Sequence, residues 1–367
     1  MQKVLNIVPY PFLPYFSGGQ KLIAYFNQFL GSKCKLYVAG TRDNVPTGDE
    51  SYRFLPLLAT SKLRYFDLTL YFRTKKHIEK NNIDTVIIEH PYLGWLGRLL
   101  KLTTGVQLIY HTHNVEFARF KSLGKFWWPL LKIYERMALR SADLVCCISQ
   151  EDREQFIQEL NVPAEKCIIV PYGILQQQVP QNKSDLKKEI CIRHGLNPDK
   201  SLLFFNGLLD YAPNTQALQK IIEKINPLLQ QSGLAYEILI AGKRLPASFN
   251  ELKDLNKENI HYAGFVDDID AYTAAADLLL NPVITGGGVK TKVIEAIGLN
   301  TSVVSTRSGA VGIDMHVCDE KIRVAEDRDW HGFSKQIIAQ LSAKPQTPSA
   351  FYQQYYWGNI IDRFLEC

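Results

Sequence analysis

Residues 285–298 read TGGGVKTKVIEAIG, three glycines and two lysines leading into an apolar run that holds one glutamate. Glycines let a backbone approach an anion closely, and a helix start offers unpaired N–H groups and the positive end of its dipole. With a helix beginning near Val289, the loop of Thr285, Gly286, Gly287, Gly288 and Val289, together with Lys290 and Lys292, would stabilise a diphosphate without a metal. Glu295 lies three residues beyond Lys292, on nearly the same helix face, where a carboxylate can accept two hydrogen bonds from a vicinal diol. Diphosphate plus diol describes a nucleotide. The bland alternative is a glycine-rich strand-to-helix turn with an ordinary Glu295–Lys292 surface pair.

Neighbouring motifs are excluded by spacing. A nucleotide triphosphatase loop needs GxxxxGK[ST], yet Val289 separates Gly288 from Lys290 and Val283 stands where the first glycine belongs. A dinucleotide GxGxxG is also missing, since YFSGGQK near the amino terminus offers only Gly18 and Gly19. The adjacent aspartates Asp267 and Asp268 read as helix-start residues rather than as a metal motif.

The elements that must position these residues follow from length and pattern. A chain of 367 residues, 46% hydrophobic and 22% charged, is expected to form two globular domains. Prolines break the first apolar stretch, which argues against a signal peptide, and no run reaches the roughly 18 apolar residues of a membrane span. A cytoplasmic location is therefore expected. Seven scattered cysteines without a CxxC fit reduced, buried thiols, with neither a disulfide framework nor a zinc site.

Charge is uneven: residues 1–170 are at net +7 and the remainder at −2. Basic and aromatic residues alternate in SKLRYFDLTLYFRTKKHIEK and RFKSLGKFWWPLLKIYERMALR, each read as one amphipathic helix. Such a surface could rest peripherally on anionic lipid at the inner face of a membrane. No nucleic-acid module accompanies the charge, so no nucleic-acid partner is expected.

Strand-like runs (KVLNIVPY, CKLYVAG, DTVIIEH, VQLIYHTHN, DLVCCIS, CIIVPYG) alternate with helical stretches up to residue 173. After a polar segment, residues 174–186, read as a linker, the alternation restarts and runs to about residue 349. The expected fold class is α/β, with two Rossmann-like, doubly wound parallel-sheet domains facing a cleft at the carboxyl ends of their strands. The last helix, residues 350–367, could pack back across the linker.

Several separated stretches resemble one family. PYPFLPYFSGGQKLIAYF, HTHNVEFARF, IIVPYGI, FFNGLLDYAPNTQAL and LLLNPVITGGGVKTKVIEAIGLNTSVVST are together similar, in order and spacing, to the retaining GT-B glycosyltransferases of the family 4 group, over nearly the whole chain. The resemblance implies an acceptor-binding first domain and a second domain that holds a UDP- or GDP-sugar, with no metal and no cofactor. It implies that Glu295 holds the ribose hydroxyls and His113 contacts the donor sugar near the anomeric carbon, with His111, two residues earlier on the same strand, able to exchange roles. His90 and Glu116 rank behind them.

Gly18 and Gly19 are implied to let an amino-terminal loop approach the diphosphate, and Phe265 and Val266 to meet the nucleobase. Gly207 and Asn214 stand where many members carry an Arg and a Lys, so Lys290, Lys292 or Lys243 would supply the missing charge. Gly287 stands where the family commonly keeps the first glutamate of its ExxxxxxxE segment, which contacts the donor sugar. The implied activity is hexosyl transfer with retention to a glycan or lipid-linked acceptor in cell-surface polysaccharide or glycoconjugate synthesis, with His113, Lys292 and Glu295 carrying it. A UDP-sugar epimerase of the same fold and a degenerate partner subunit that only binds nucleotide sugar are the alternatives.

Overall fold

Continuous Val/Ile/Leu runs make strands that need cover on both faces, and both halves of the chain meet that need with a parallel sheet flanked by helices. The structure is a computed structural model that describes residues 2–367. It divides into two units: the first takes the chain up to Gly173 with Gly287–Val289 and Trp357–Cys367, the second Ile174–Gly286 and Lys290–Tyr356.

Unit 1 contains β1 (Lys3–Ile7), β2 (Lys35–Thr41), β3 (Arg53–Leu58), β4 (Thr85–Glu89), β5 (Gln107–His111), β6 (Leu144–Cys147) and β7 (Cys167–Ile169). They lie in the order β3-β2-β1-β4-β5-β6-β7, every pair parallel. Its helices are α1 (Gly18–Lys33), α2 (Thr69–Asn81), α3 (Gly94–Thr104), α4 (Glu116–Ser122), α5 (Trp128–Ser141) and α6 (Gln150–Leu160). Leu5, Ile7, Val86, Ile88, Leu108 and Tyr110 of the sheet share one core with Leu96, Leu100 and Leu139 of the helices.

Unit 2 repeats the scheme with β8 (Ser201–Asn206), β9 (Tyr236–Ala241), β10 (Ile260–Gly264), β11 (Leu278–Asn281), β12 (Ser302–Thr306) and β13 (Ile322–Ala325), in the order β10-β9-β8-β11-β12-β13. Around them lie α7 (Lys183–Arg193), α8 (Ala212–Lys220), α9 (Asn226–Gln231), α10 (Ile269–Ala275), α11 (Thr291–Gly298), α12 (Met315–Cys318), α13 (Trp330–Ala343) and α14 (Ser349–Tyr355). In each sheet strand order reverses once, between β1 and β4 and between β8 and β11, and ligands of open parallel sheets bind beyond the strand ends at such points.

Three local expectations change. Each of the two basic, aromatic stretches is broken: residues 62–66 form a separate 3₁₀ turn ahead of α2, and residues 123–127 divide α4 from α5, where Gly124 takes φ +68°. The segment read as a linker already becomes helical at Lys183, where α7 starts. Asp268 does cap a helix, its carboxylate accepting from the Ala271 N–H of α10.

The last helix, α15 (Trp357–Leu365), belongs to unit 1. Trp357 is fully buried with its ring 6.5 Å from Phe26 of α1, and Lys33 pairs with Asp362 at 3.0 Å. Gly173 lies under this tryptophan so closely that a Cβ there would come within 2.5 Å of the indole. Gly173→Ala is therefore expected to lower unfolding stability by about 1–3 kcal/mol, measured by denaturant titration, because a buried indole has no room to retreat.

Candidate active site

The carboxyl ends of β1, β4 and β5 place charge where the sheet has no solvent. Glu89, the last residue of β4, is fully buried, and a buried carboxylate must be met by donors. Its Oε1 accepts from Asn6 Nδ2 of β1 at 2.8 Å, and its Oε2 lies 2.7 Å from His113 Nε2 and 3.0 Å from His111 Nδ1. Asn6 in turn is held by Asn27 of α1 at 2.8 Å. Burial acts to raise the Glu89 pKa, but the two imidazoles, His111 foremost, hold it well below the usual carboxylate range.

His113 therefore points an Nε2–H at Glu89 and keeps Nδ1 for other partners, the nearest being Tyr10 OH at 3.5 Å. Burial, helped by the nearby His90, pushes its pKa down to about 3, so the ring is a neutral hydrogen-bonding group near neutral pH. β5 ends at His111, so the two histidines do not share a strand face as their spacing implied; the turn after the strand brings both to one carboxylate.

A second carboxylate continues the network. Tyr10 OH lies 2.9 Å from His90 Nε2, and His90 Nδ1 stands 3.0 Å from Glu116 Oε1. Glu116, fully buried at the start of α4, also accepts from Tyr92 OH at 2.6 Å and Arg119 Nη1 at 3.0 Å. Burial opposes its ionisation, yet His90, Tyr92 and Arg119 bring its pKa down to about 2. His90 adopts φ +62°, a conformation that costs about 1–3 kcal/mol for a residue with a side chain and that marks sites where geometry serves chemistry. Behind the network Glu135 of α5 accepts the N–H groups of Glu116 and Phe117 at 3.0 and 2.9 Å, and burial raises its pKa to about 8.

Glu89, His111 and His113 bring ligand-type atoms within 4.8 Å of one another, the one such group among the described residues. The His113–Glu89 separation of 2.7 Å is a hydrogen bond, shorter than the roughly 3.3 Å that donors around a tetrahedral ion with bonds of about 2.0 Å require. A cation there would have to displace the bonds that satisfy the carboxylate.

The glycine loop leaves β11 of unit 2 and turns with φ +87° at Gly286 and +73° at Gly288, the latter one of the three loop residues counted with unit 1. Helix α11 opens at Thr291, two residues later than expected, so Val289 is loop and Lys290 is the cap position, with no side-chain cap. Lys292 turns back across the sheet end: its Nζ donates to the Asn206 carbonyl at 3.1 Å and lies 4.4 Å from the centre of the Phe205 ring. Burial, with Lys290 beside it, pushes the Lys292 ammonium down to about 7; burial brings Lys290, which donates to the Gly286 carbonyl at 3.0 Å, to about 8. Glu295 is half-buried one turn further along α11.

The other expected donor-site residues gather at the same strand ends. Gly207 follows β8 at φ +154°, and a Cβ on Gly242 after β9 would stand 1.9 Å from the Gly207 carbonyl, so the two chain segments touch through backbone alone. Asn214 donates to the Leu208 carbonyl at 3.0 Å, Thr285 to Gln216 at 3.0 Å, and Lys243 Nζ lies 3.8 Å from the ring centre of exposed Phe265, with Val266 half-buried beside it. Gly18 and Gly19 open α1 rather than a loop; Ser17 caps them, and the space beside Gly19 is open.

Sequence reasoning missed Glu89, Tyr10, Asn6 and Tyr92. The signal for the first was present: an acid that closes the apolar run TVIIE and stands one sheet position from HTH.

Two Rossmann-like parallel sheets give the chain the GT-B fold that it shares with solved glycosyltransferases. The Glycosyltransferase Family 4 model matches residues 17–175 and the Glycosyl transferases group 1 model residues 200–343, and the chain belongs to the family 4 type of these enzymes. Escherichia coli O-antigen biosynthesis glycosyltransferase WbnH is 22% identical over 72% of this chain and 78% of its own. The E. coli UDP-Gal:alpha-D-GlcNAc-diphosphoundecaprenol alpha-1,3-galactosyltransferase is 28% identical over 65% of this chain and 62% of its own. Anabaena HepE, solved in complex with UDP-glucose, superposes with a TM-score of 0.69 at 15% identity, over 99% and 98% of the two chains.

Because the folded pKa of His113, about 3, lies below its unfolded value near 6.5, the unfolded chain binds the extra proton first. Stability is complete above pH ~6.5 and declines as pH falls toward about 3. The guanidinium midpoint should drop across that window, and His113→Gln should flatten the dependence.

Proposed function

We propose that the protein transfers a hexosyl group from a UDP- or GDP-sugar to a glycan or lipid-linked acceptor, with retention of anomeric configuration and without a metal, in the synthesis of a cell-surface polysaccharide or glycoconjugate. Lys292 carries the reading: an ammonium set at the switch point of unit 2, weakly solvated and beside a second lysine, is a site built for a dense anion. In such a place a diphosphate recovers the charge stabilisation that burial removed. Lys290, Lys292 and the N–H groups opening α11 stabilise the negative charge that grows on the leaving diphosphate oxygen, and that oxygen takes the proton of the attacking hydroxyl.

Glu295 accepts from the ribose diol, and Phe265 with Val266 offers a face to the base. His113, kept neutral and aimed by Glu89, accepts a hydrogen bond from a sugar hydroxyl at Nδ1 and donates no proton to it. The relatives support the donor and acceptor classes: one acts with UDP-Gal on a diphosphoundecaprenol-linked GlcNAc, and another serves O-antigen biosynthesis.

Product analysis with labelled nucleotide sugars and an acceptor tests the reading directly, with the new anomeric bond assigned by NMR; an epimerised free nucleotide sugar, or binding without turnover, would overturn it. Affinity for UDP should also fall as pH rises above about 7, by up to roughly tenfold per unit, because the free protein loses the Lys292 proton that the complex retains. Calorimetry in buffers of different ionisation enthalpy should show proton uptake on binding, absent in Lys292→Met. Glu295→Gln should remove most discrimination between UDP and its 2′,3′-dideoxy analogue, a loss of about 1–3 kcal/mol.

A further inference from the structure

Between residues 85 and 142 the acidic side chains are Glu89, Glu116 and Glu135, and all three are fully buried. The same stretch carries eight Lys and Arg residues. Lys101, Arg119 and Lys132 meet carboxylates, whereas Arg98, Lys121, Lys125 and Arg140 are exposed. The outer surface built by α3, α4 and α5 is thus cationic with no exposed carboxylate of its own, and α2, which packs on α3, adds exposed Lys76 and Lys80 beside one exposed acid, Glu79, which lies 3.7 Å from Lys75.

Large apolar side chains stand among these charges. Phe66 is 79% exposed and Phe72 68%, Phe126 is 91% exposed, and Leu102, Leu130 and Ile133 are exposed too. Phe72, Leu102, Leu130 and Ile133 lie on helices that pack side by side, α2 on α3 and α3 on α5, within unit 1. Phe66 ends the separate 3₁₀ turn ahead of α2 and Phe126 stands in the break between α4 and α5, and both are strongly exposed. Apolar surface of this extent on a folded chain marks an interaction surface. The excess of exposed cations selects an anionic partner, and apolar tips standing among those cations suit the headgroup boundary of a lipid surface.

We propose that the α2–α3–α5 face of unit 1 docks on an anionic lipid bilayer, with Phe66 and Phe126 inserted at the headgroup boundary and the surrounding lysines and arginines over the phosphates. Docking of this kind holds the enzyme where membrane-linked acceptors are found, and it does not depend on which sugar is transferred.

Cosedimentation with vesicles decides it, using the full chain without donor. The wild type should bind phosphatidylcholine vesicles containing about a third phosphatidylglycerol and release them at high salt. Arg98→Glu with Lys125→Glu should weaken the partition coefficient by at least roughly thirtyfold, as loss of two surface cations implies, and Phe66→Ser with Phe126→Ser should weaken it comparably. The far-UV circular dichroism and guanidinium midpoint of both variants should match the wild type, which shows that unit 1 folds in each. No wild-type binding, equal binding to pure phosphatidylcholine, or a concentration-dependent dimer in sedimentation velocity that the same substitutions abolish without any vesicle binding would each overturn the proposal.

Discussion

A full negative charge with no solvent at the end of β4 organises unit 1. Glu89 can remain ionised there only because Asn6, His111 and His113 supply N–H groups from β1 and from the end of β5. Each donor must therefore sit at the same depth, which ties the register of three adjacent strands to one carboxylate. The consequence reaches further than packing. Committing the His113 Nε2–H to Glu89 fixes its tautomer and leaves Nδ1 facing Tyr10, and Tyr10 meets His90, whose positive φ is held by its backbone bond to His111 and by the contact with Glu116.

Unit 2 solves the opposite problem with the same architecture. Its switch point holds the ammonium of Lys292 in place of a carboxylate, and burial disfavours that charge. Among the described residues Lys292 meets a carbonyl and the face of Phe205, too little to offset the burial and the neighbouring Lys290 that lower its basicity, whereas Glu89 finds donors enough to keep its charge. One end is thus electrostatically satisfied and rigid, the other is poised to gain from an anion. Gly207 and Gly242 serve the second state, since backbone in contact with backbone leaves room for no side chain where the strands end.

How much of this was legible follows from which physical rule decided each feature. Strand-length apolar runs and their alternation with helices gave the parallel sheets, because cover on both faces leaves little freedom in composition. β3 escaped notice since RFLPLL carries a proline and lies at the sheet edge, where pattern weakens. The helix breaks at residues 67–68 and 123–127 were hidden because periodicity averages over a local turn. In the site, glycines and lysines announced themselves by type, and Glu295 by spacing. Glu89 did not, for its role rests on Asn6 and on histidines from other strands, a relation that only the sheet creates.

Gly287 is the remaining departure from the family pattern, and the backbone bears on it. Gly286 and Gly288 take positive φ and need glycine for their conformation, but Gly287 between them does not. The fold therefore does not forbid a side chain there, and the loop's geometry does not account for the missing glutamate. On the proposed reading, a loop stripped of its side chain meets the sugar through backbone amides, which donate to hydroxyls without adding charge beside a diphosphate. Repulsion between a carboxylate and the leaving group is thereby avoided at the point where negative charge accumulates. Lys292, already short of counter-charge, then has the diphosphate as its principal anion.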